Sequence, residues 1–250
     1  MPAPMKKHIS VSSDKMKKNS EIIGIFDEIV SSYDFLNHFL SFGFDYGWRK
    51  KAVKKFTPGI NNGKVLDLCS GTGDLAFTLL KRQNFKGEVL ALDGSMQMLI
   101  KARKRAANRD KGERIKILQG DAEKLPLKDS SVNAAMAAFG IRNLPDARKG
   151  LEEIFRALKQ GGELMILEFS APKNRVVEIL FGLYFSRVLP FLGGLVSKRK
   201  SAYSYLVSSV YSFSGTFDIC AELKEIGFED VKKEMLTMGI VSIYNAKKGY

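Results

Sequence analysis

Histidine is nearly absent: His8 and His38 are the only two in 250 residues, and His8 sits in a polar stretch at the start. A histidine-built metal cluster or a Ser-His-Asp triad has almost no material to use, so hydrolase readings start without their usual base. Cysteine is equally scarce. Cys69 and Cys220 are too few for a disulfide framework or a Cys-rich zinc site, which fits a reducing, cytoplasmic compartment. Acid is in deficit, with 27 Asp plus Glu against 40 Lys plus Arg, and the net charge of +13 suits an anionic partner, either nucleic acid or an acidic-lipid surface. A long uninterrupted apolar run is also missing. Val176 to Val196 comes nearest, yet Glu178 and Arg187 lie inside it and Pro190, Gly193 and Gly194 break it, so it does not read as a transmembrane helix. Residues 1–20 have no apolar core of a signal peptide and, with Lys6, Lys7, Lys15, Lys17 and Lys18, read as a mobile basic leader. Neither repeats nor a Pro/Ser-rich linker divide the rest, so residues 21–250 read as one domain.

What is present is an alternation. With 45% hydrophobic residues the chain can bury a core, and from Lys64 onward short apolar runs alternate with helical patterns, as βα units of a mostly parallel sheet require. Strands are expected at Lys64–Leu68, Val89–Leu92, Ile115–Leu118, Ala134–Ala138 and Leu164–Glu168. Helices are expected from Leu75 to Leu80, Ser95 to Ala107 and Ala147 to Leu158, the last stopped by Gly161-Gly162. A helix near Thr216 to Ile226 then leads through Gly227 to Val231 and Ile240 to Tyr244, two last strands in hairpin relation. The fold class is α/β, a doubly wound, mostly parallel seven-stranded sheet of Rossmann-like type.

Between the first strand and its helix stands Gly71-Thr72-Gly73-Asp74-Leu75-Ala76, a G-x-G-x-x-A turn in the context where that pattern binds nucleotides. Asp93 closes the second strand twenty residues after Gly73, where a carboxylate can accept hydrogen bonds from both hydroxyls of a ribose. An ordinary glycine turn with a surface Asp is the bland alternative. NAD and S-adenosylmethionine both fit such an acid, but Asp67 before the glycines and Asp74 after them repel a pyrophosphate and attract the sulfonium and ammonium of S-adenosylmethionine. Gly120-Asp121-Ala122 follows the third strand, at the edge where an adenine could be bounded and its amine could donate to a carboxylate.

Further runs carry a resemblance. Tyr33-Asp34-Phe35-Leu36-Asn37, Ser41-Phe42-Gly43, Trp48-Arg49, Gly120-Asp121-Ala122-Glu123-Lys124-Leu125-Pro126 and Phe139-Gly140-Ile141-Arg142-Asn143 stand in order and spacing. Leu158-Lys159-Gln160-Gly161-Gly162, Leu167-Glu168-Phe169-Ser170, Ala202-Tyr203-Ser204-Tyr205-Leu206 and Leu236-Thr237 extend the series. Together they resemble the class I S-adenosylmethionine methyltransferases, and among them the ubiquinone/menaquinone biosynthesis C-methyltransferases, over residues 25 to 250. The chain departs from that family's pattern at Asn133, Gln160, Phe213-Ser214, Met238 and Tyr244, and Ala138 replaces a Ser or Thr that would add a side-chain contact to the cofactor.

The resemblance implies S-adenosylmethionine held by Asp67, Gly71, Thr72, Gly73, Asp93, Asp121, Ala122 and Ala138, and a polyprenylated quinol facing Arg142 and Asn143. Transfer of a methyl group to an aromatic carbon needs an electron-rich ring held close and in line, and loss of a phenolic proton would activate it. The resemblance implies that Arg142 orients a water or stabilises a phenolate; Arg stays protonated in proteins and is no base itself, so phenolate stabilisation is preferred, with Tyr33 and Asp34 as candidates for closing the site. The insertion 172–215, with Phe181, Tyr184, Phe185, Phe191, Tyr203, Tyr205 and Tyr211, offers an apolar surface to a prenyl tail or simply roofs the sheet. Its flank Lys198-Arg199-Lys200 could touch anionic lipid, giving transient contact with the inner face of a membrane. No nucleic-acid partner is expected, because no appended binding module or Asn/Asp-Pro-Pro-Tyr run follows the fourth strand; a homodimer is left open. A nucleic-acid methyltransferase and a non-catalytic lipid- or cofactor-binding relative are the competing classes.

Overall fold

A computed structural model describes residues 6–170, 172, 174–184 and 200–250 of the chain. Phe185, Phe191, Lys198 and Arg199 lie outside the described residues, as does the side chain of Tyr203.

The first helix, α1, spans Lys6–Leu40. No proline follows Pro4 until Pro58, so nothing breaks the helix before its end. There the backbone turns left-handed at Phe42 and Gly43, with the Gly43 N–H donating to the His38 carbonyl at 2.8 Å. From Lys6 onward the basic leader thus stands as the first half of α1. Helix α2 follows at Phe44–Val53.

Seven strands form one sheet: β1 Lys64–Leu68, β2 Glu88–Asp93, β3 Ile115–Gln119, β4 Val132–Ala138, β5 Leu158–Phe169, β6 Phe228–Leu236 and β7 Val241–Lys248. Their order is β3-β2-β1-β4-β5-β7-β6. The first five are parallel and β7 runs antiparallel to both of its neighbours. Helices α3 Asp74–Leu80, α4 Met96–Ala107 and α5 Ala147–Ala157 are the crossovers, and α8 Ile219–Ile226 leads into the final hairpin. Between them α6 Arg175–Leu183 and α7 Lys200–Thr216 belong to the insertion. Because helices cover both faces, the central strands are apolar almost without alternation: Leu66 and Ala135 pack towards α5 and α8, Val65 and Met136 towards α2 and α3.

Two expectations shift. The last crossover helix does not begin near Thr216; α7 ends there, and Asp218 caps α8 by accepting from the N–H groups of Cys220 (2.9 Å) and Ala221 (3.3 Å). The glycines at 161 and 162 do not separate α5 from the fifth strand. The helix stops where Leu158 turns extended, Leu158 already pairs with Val132, and the intervening residues bulge until Glu163 pairs with Ala134. The open end of the sheet, at the carboxyl ends of β1, β2 and β4, is where the site lies.

Candidate active site

The turn after β1 places Gly71 at φ +54° and Gly73 at φ +87°. A Cβ on Gly71 would meet nothing nearer than Tyr33 Cε1 at 4.0 Å, so its bare backbone faces open space. Gly73 serves packing instead, since a Cβ there would lie 3.0 Å from the Phe77 ring. At the end of β2 the Asp93 carboxylate accepts from the Gly71 N–H through Oδ2 and from the Ser95 N–H through Oδ1, both at 2.8 Å. Each oxygen keeps a second acceptor site for a ribose hydroxyl. Burial, with Asp27 nearby, raises the carboxyl pKa against these N–H donors.

Gly71 and Asp93 line a small cavity of about 90 Å³ together with Asp121, Ala122, Ala138 and Asn143, and α1 covers it with Ile22, Ile23, Phe26 and Tyr33. The bare turn at Gly71, the two-sided acceptor at Asp93 and the Asp121-Ala122 edge fit the turn, ribose and base of an adenosine ligand such as S-adenosylmethionine. Three of the expected cofactor residues lie behind the wall. Thr72 donates its hydroxyl to Asp34 and accepts from Arg105 Nη1 at 2.7 Å, tying the turn to α1 and α4. Asp67, 1% exposed, accepts the Ala76 N–H at 3.1 Å under the start of α3. Gly73 is the third.

Burial pushes the Asp67 carboxyl up to about 8. A folded-state value above the unfolded one means that the stability it contributes is complete below about pH 4 and is lost as pH rises towards 8. In urea unfolding between pH 5 and 9, Asp67→Asn is expected to show a smaller fall in stability with pH than the wild type. An identical slope would show that Asp67 is already ionised in the fold.

Asp74 does not offer its charge to a ligand. Burial alone would raise it, but Arg49 and Arg105 hold its carboxyl below the usual carboxylate range. Arg105 Nη2 lies 2.5 Å from Asp74, while His38 bonds Asp45 at 2.6 Å and Arg49 pairs with Asp45, so these groups knit α1, α2, α3 and α4 together. The preference for a cationic cofactor inferred from Asp74 therefore has no support from its position: two guanidinium groups already answer the charge.

Beside the first cavity lies a larger one of about 330 Å³, and Tyr33 and Phe139 line both. Its walls are mostly apolar, from Phe42, Phe44 and Trp48 to Phe169, Val177 and Phe181, with Asp45, Arg49 and Arg142 among them. Phe139 has φ +58°, a left-handed bulky residue at the junction. Its ring lies 4.9 Å from that of Phe169 and 6.2 Å from that of Trp48. The following Gly140 is required by close approach, since a Cβ there would fall 2.4 Å from that of Cys69.

Arg142, in the short turn Ile141–Asn143, lines the larger cavity and Asn143 the smaller one. Arg142 is held in a buried ion pair. Its side chain is 6% exposed and its Nη1 lies 2.7 Å from Oε1 of the buried Glu168, with the guanidinium 5.2 Å from the Phe169 ring centre. Asn143 Oδ1 accepts from the Tyr205 hydroxyl of α7 at 3.2 Å, which gives one aromatic of the insertion a place at the site. Burial raises the Tyr33 hydroxyl pKa, opposed by a hydrogen bond with Asn37. Sequence reasoning did not single out Phe139 as a shared wall or Glu168 as a partner. The signal for Glu168 was a charge closing the apolar run Leu164–Leu167.

A seven-stranded sheet in this order, with a glycine turn after β1 and a ribose-ready acid after β2, defines a class I S-adenosylmethionine-dependent methyltransferase. A phosphoethanolamine N-methyltransferase 2 from Haemonchus contortus, solved with S-adenosyl-L-methionine, shares the fold at TM-score 0.62 and 17% identity, covering 90% of this chain and 57% of that one. The chain belongs to the ubiE/COQ5 methyltransferase family, whose model matches residues 14–248. It is 39% identical over 234 residues to a ubiquinone/menaquinone biosynthesis C-methyltransferase UbiE from Geotalea daltonii, covering 93% of this chain and 98% of the relative. It is 41% identical over 220 residues to a demethylmenaquinone methyltransferase from Thermus thermophilus, covering 88% and 98%. The protein is an S-adenosylmethionine-dependent C-methyltransferase of quinone biosynthesis.

Proposed function

We propose that the protein methylates a ring carbon of a polyprenylated quinol, a demethylmenaquinol before a benzoquinol. The observation that carries this reading is the apolar cavity of about 330 Å³ that shares Tyr33 and Phe139 with the cofactor cavity, so a ring placed at that junction would meet the methyl donor. S-adenosylmethionine supplies an electrophilic methyl group on a sulfonium. Tyr33 and Phe139 orient the ring, Arg142 and Asn143 direct polar groups at its hydroxyl, and the buried walls exclude water. With the cofactor bound, its sulfonium–methyl bond would break as the methyl joins the ring carbon, and the ring would release one proton to solvent on product release. Gly71, Asp93, Asp121, Ala122 and Ala138 line the cofactor's place, with Asp67, Thr72 and Gly73 supporting the turn.

The domain from residue 21 onward forms one catalytic unit with the insertion on the substrate side. Phe42 and Met238, 73% and 71% exposed at the rim of the apolar cavity, and Val176 and Ile179 on α6 suit transient contact with a membrane surface, where a prenylated substrate resides. No helix among the described residues is long and apolar enough to cross a membrane. Peripheral binding at the inner face of a membrane, from the cytoplasm, is the corresponding location. Quinone analysis in cells lacking the protein tests the reading. Accumulation of demethylmenaquinone is expected, and an unchanged quinone profile would refute it.

Arg142→Lys keeps a charge but loses the planar guanidinium whose Nη1 donates to both Glu168 and the Phe139 carbonyl. Single-turnover methylation is expected to slow on the order of a hundredfold, with cofactor affinity within about twofold of wild type. Raising the pH towards the quinol's own ionisation should recover part of the rate. Unchanged chemistry with weaker quinol binding would make Arg142 a positioning residue only.

A further inference from the structure

Glu168 is fully buried near the end of β5 and lines neither cavity. Its Oε1 accepts from Arg142 Nη1 at 2.7 Å and from the Phe169 N–H at 3.0 Å, and its Oε2 accepts from the Arg142 N–H at 3.4 Å. Both carboxylate oxygens are thus directed at one residue. A buried ion pair is rarely needed for stability, since apolar residues of like volume serve as well, so its presence at a cavity wall calls for another cause. The same Nη1 reaches the Phe139 carbonyl, which also accepts from Asn143 Nδ2 at 3.3 Å. That carbonyl belongs to the left-handed residue standing between the two cavities. Arg142 Nε is buried and has no partner among the described residues.

We infer that Glu168 is a positioning residue for methyl transfer: it neutralises Arg142 and fixes its guanidinium so that a directed N–H donor, and not a free cation, meets the quinol hydroxyl. This rests on the quinol reading above. An apolar ring enters a neutral pocket without having to desolvate a lone charge, and its hydroxyl finds an oriented donor. The titratable groups facing the pair are Tyr33 from α1, Cys69 after β1, Tyr205 from α7 and Tyr244 from β7, with Arg49 from α2 over the Phe139 ring at 5.7 Å and Asp45 paired to it. Burial raises all three tyrosines and the cysteine, so they remain neutral near pH 7, and the raised carboxyls of Asp67 and Asp93 are common to every variant, so a difference in the acid limb between variants reports the bound quinol.

The test uses the full-length protein with S-adenosylmethionine and a short-chain demethylmenaquinol, comparing Glu168→Gln, Glu168→Asp, Arg142→Lys and the double variant Glu168→Gln/Arg142→Lys. Glu168→Gln is expected to lower kcat about tenfold or more, with KM for the cofactor within twofold, and to move the acid limb of the kcat–pH profile down by about one unit, because the unmatched guanidinium favours the phenolate. Glu168→Asp should restore the wild-type limb. In the Arg142→Lys background, Glu168→Gln should cost much less than it does alone, since a residue that acts through Arg142 has little left to position. Additive losses with an unmoved pH profile would assign Glu168 to packing and overturn the inference alone. A wild-type protein inactive on every quinol offered would overturn the substrate reading and the inference together.

Discussion

Asp93→Ala is expected to weaken S-adenosylmethionine binding at least a hundredfold while the domain stays folded. The carboxylate at the end of β2 holds the turn through the Gly71 and Ser95 N–H groups and keeps two further acceptor sites for a ribose. Hydrogen bonds to a charged acceptor are worth roughly 1.5–3 kcal/mol each, so losing two removes about two decades or more of affinity. Alanine also strands the two backbone N–H groups, so the variant loses some stability as well. Asp93→Asn separates these effects, because its amide oxygen still accepts one bond while the charge and half of the acceptor capacity are gone. Calorimetry with S-adenosylmethionine and thermal unfolding of both variants decide the matter. A folded Asp93→Asn with wild-type affinity would show that the cofactor lies elsewhere.

Replacing Gly71 should be as damaging to binding for a different reason. At φ +54° a valine is strained whatever room it has, whereas asparagine tolerates the left-handed region. Space within the protein is not the obstacle, since a Cβ meets only Tyr33 Cε1 at 4.0 Å. Gly71→Asn is therefore expected to lose little stability, and Gly71→Val roughly 1–2 kcal/mol or more. Both place a side chain where the cofactor must approach the backbone, so both are expected to lose binding at least tenfold. Affinity unchanged in a folded Gly71→Asn would mean that the open space over the turn is not the cofactor's.

Strand positions were legible because a strand covered on both faces has to be a short apolar run, and β1 occupies Lys64–Leu68 as its residues suggest. The glycine turn and Asp93 were legible because their spacing follows from one strand–turn–helix unit and the next strand beside it. Arg142 stood out in the sequence by its motif, but its setting did not. Its partner Glu168 lies on β5, and the burial of the pair exists only after β4 and β5 are side by side. Asp67 and Asp74 look equivalent on either side of the glycines. Folding sends one under α3, where its pKa rises, and the other to Arg49 and Arg105, where it falls.

The sequence by itself determined the class of fold, the glycine turn after β1 and the family, because local periodicity and short spacings are properties of neighbouring residues. Only the tertiary structure decided that Tyr33 of α1 and Phe139 after β4 share a wall between two cavities, that α1 covers the smaller one, and that Glu168 holds Arg142. Those relations join segments tens to more than a hundred residues apart. They depend on how helices cross the sheet and which charges lose their water together, and neither is encoded in any single stretch of chain.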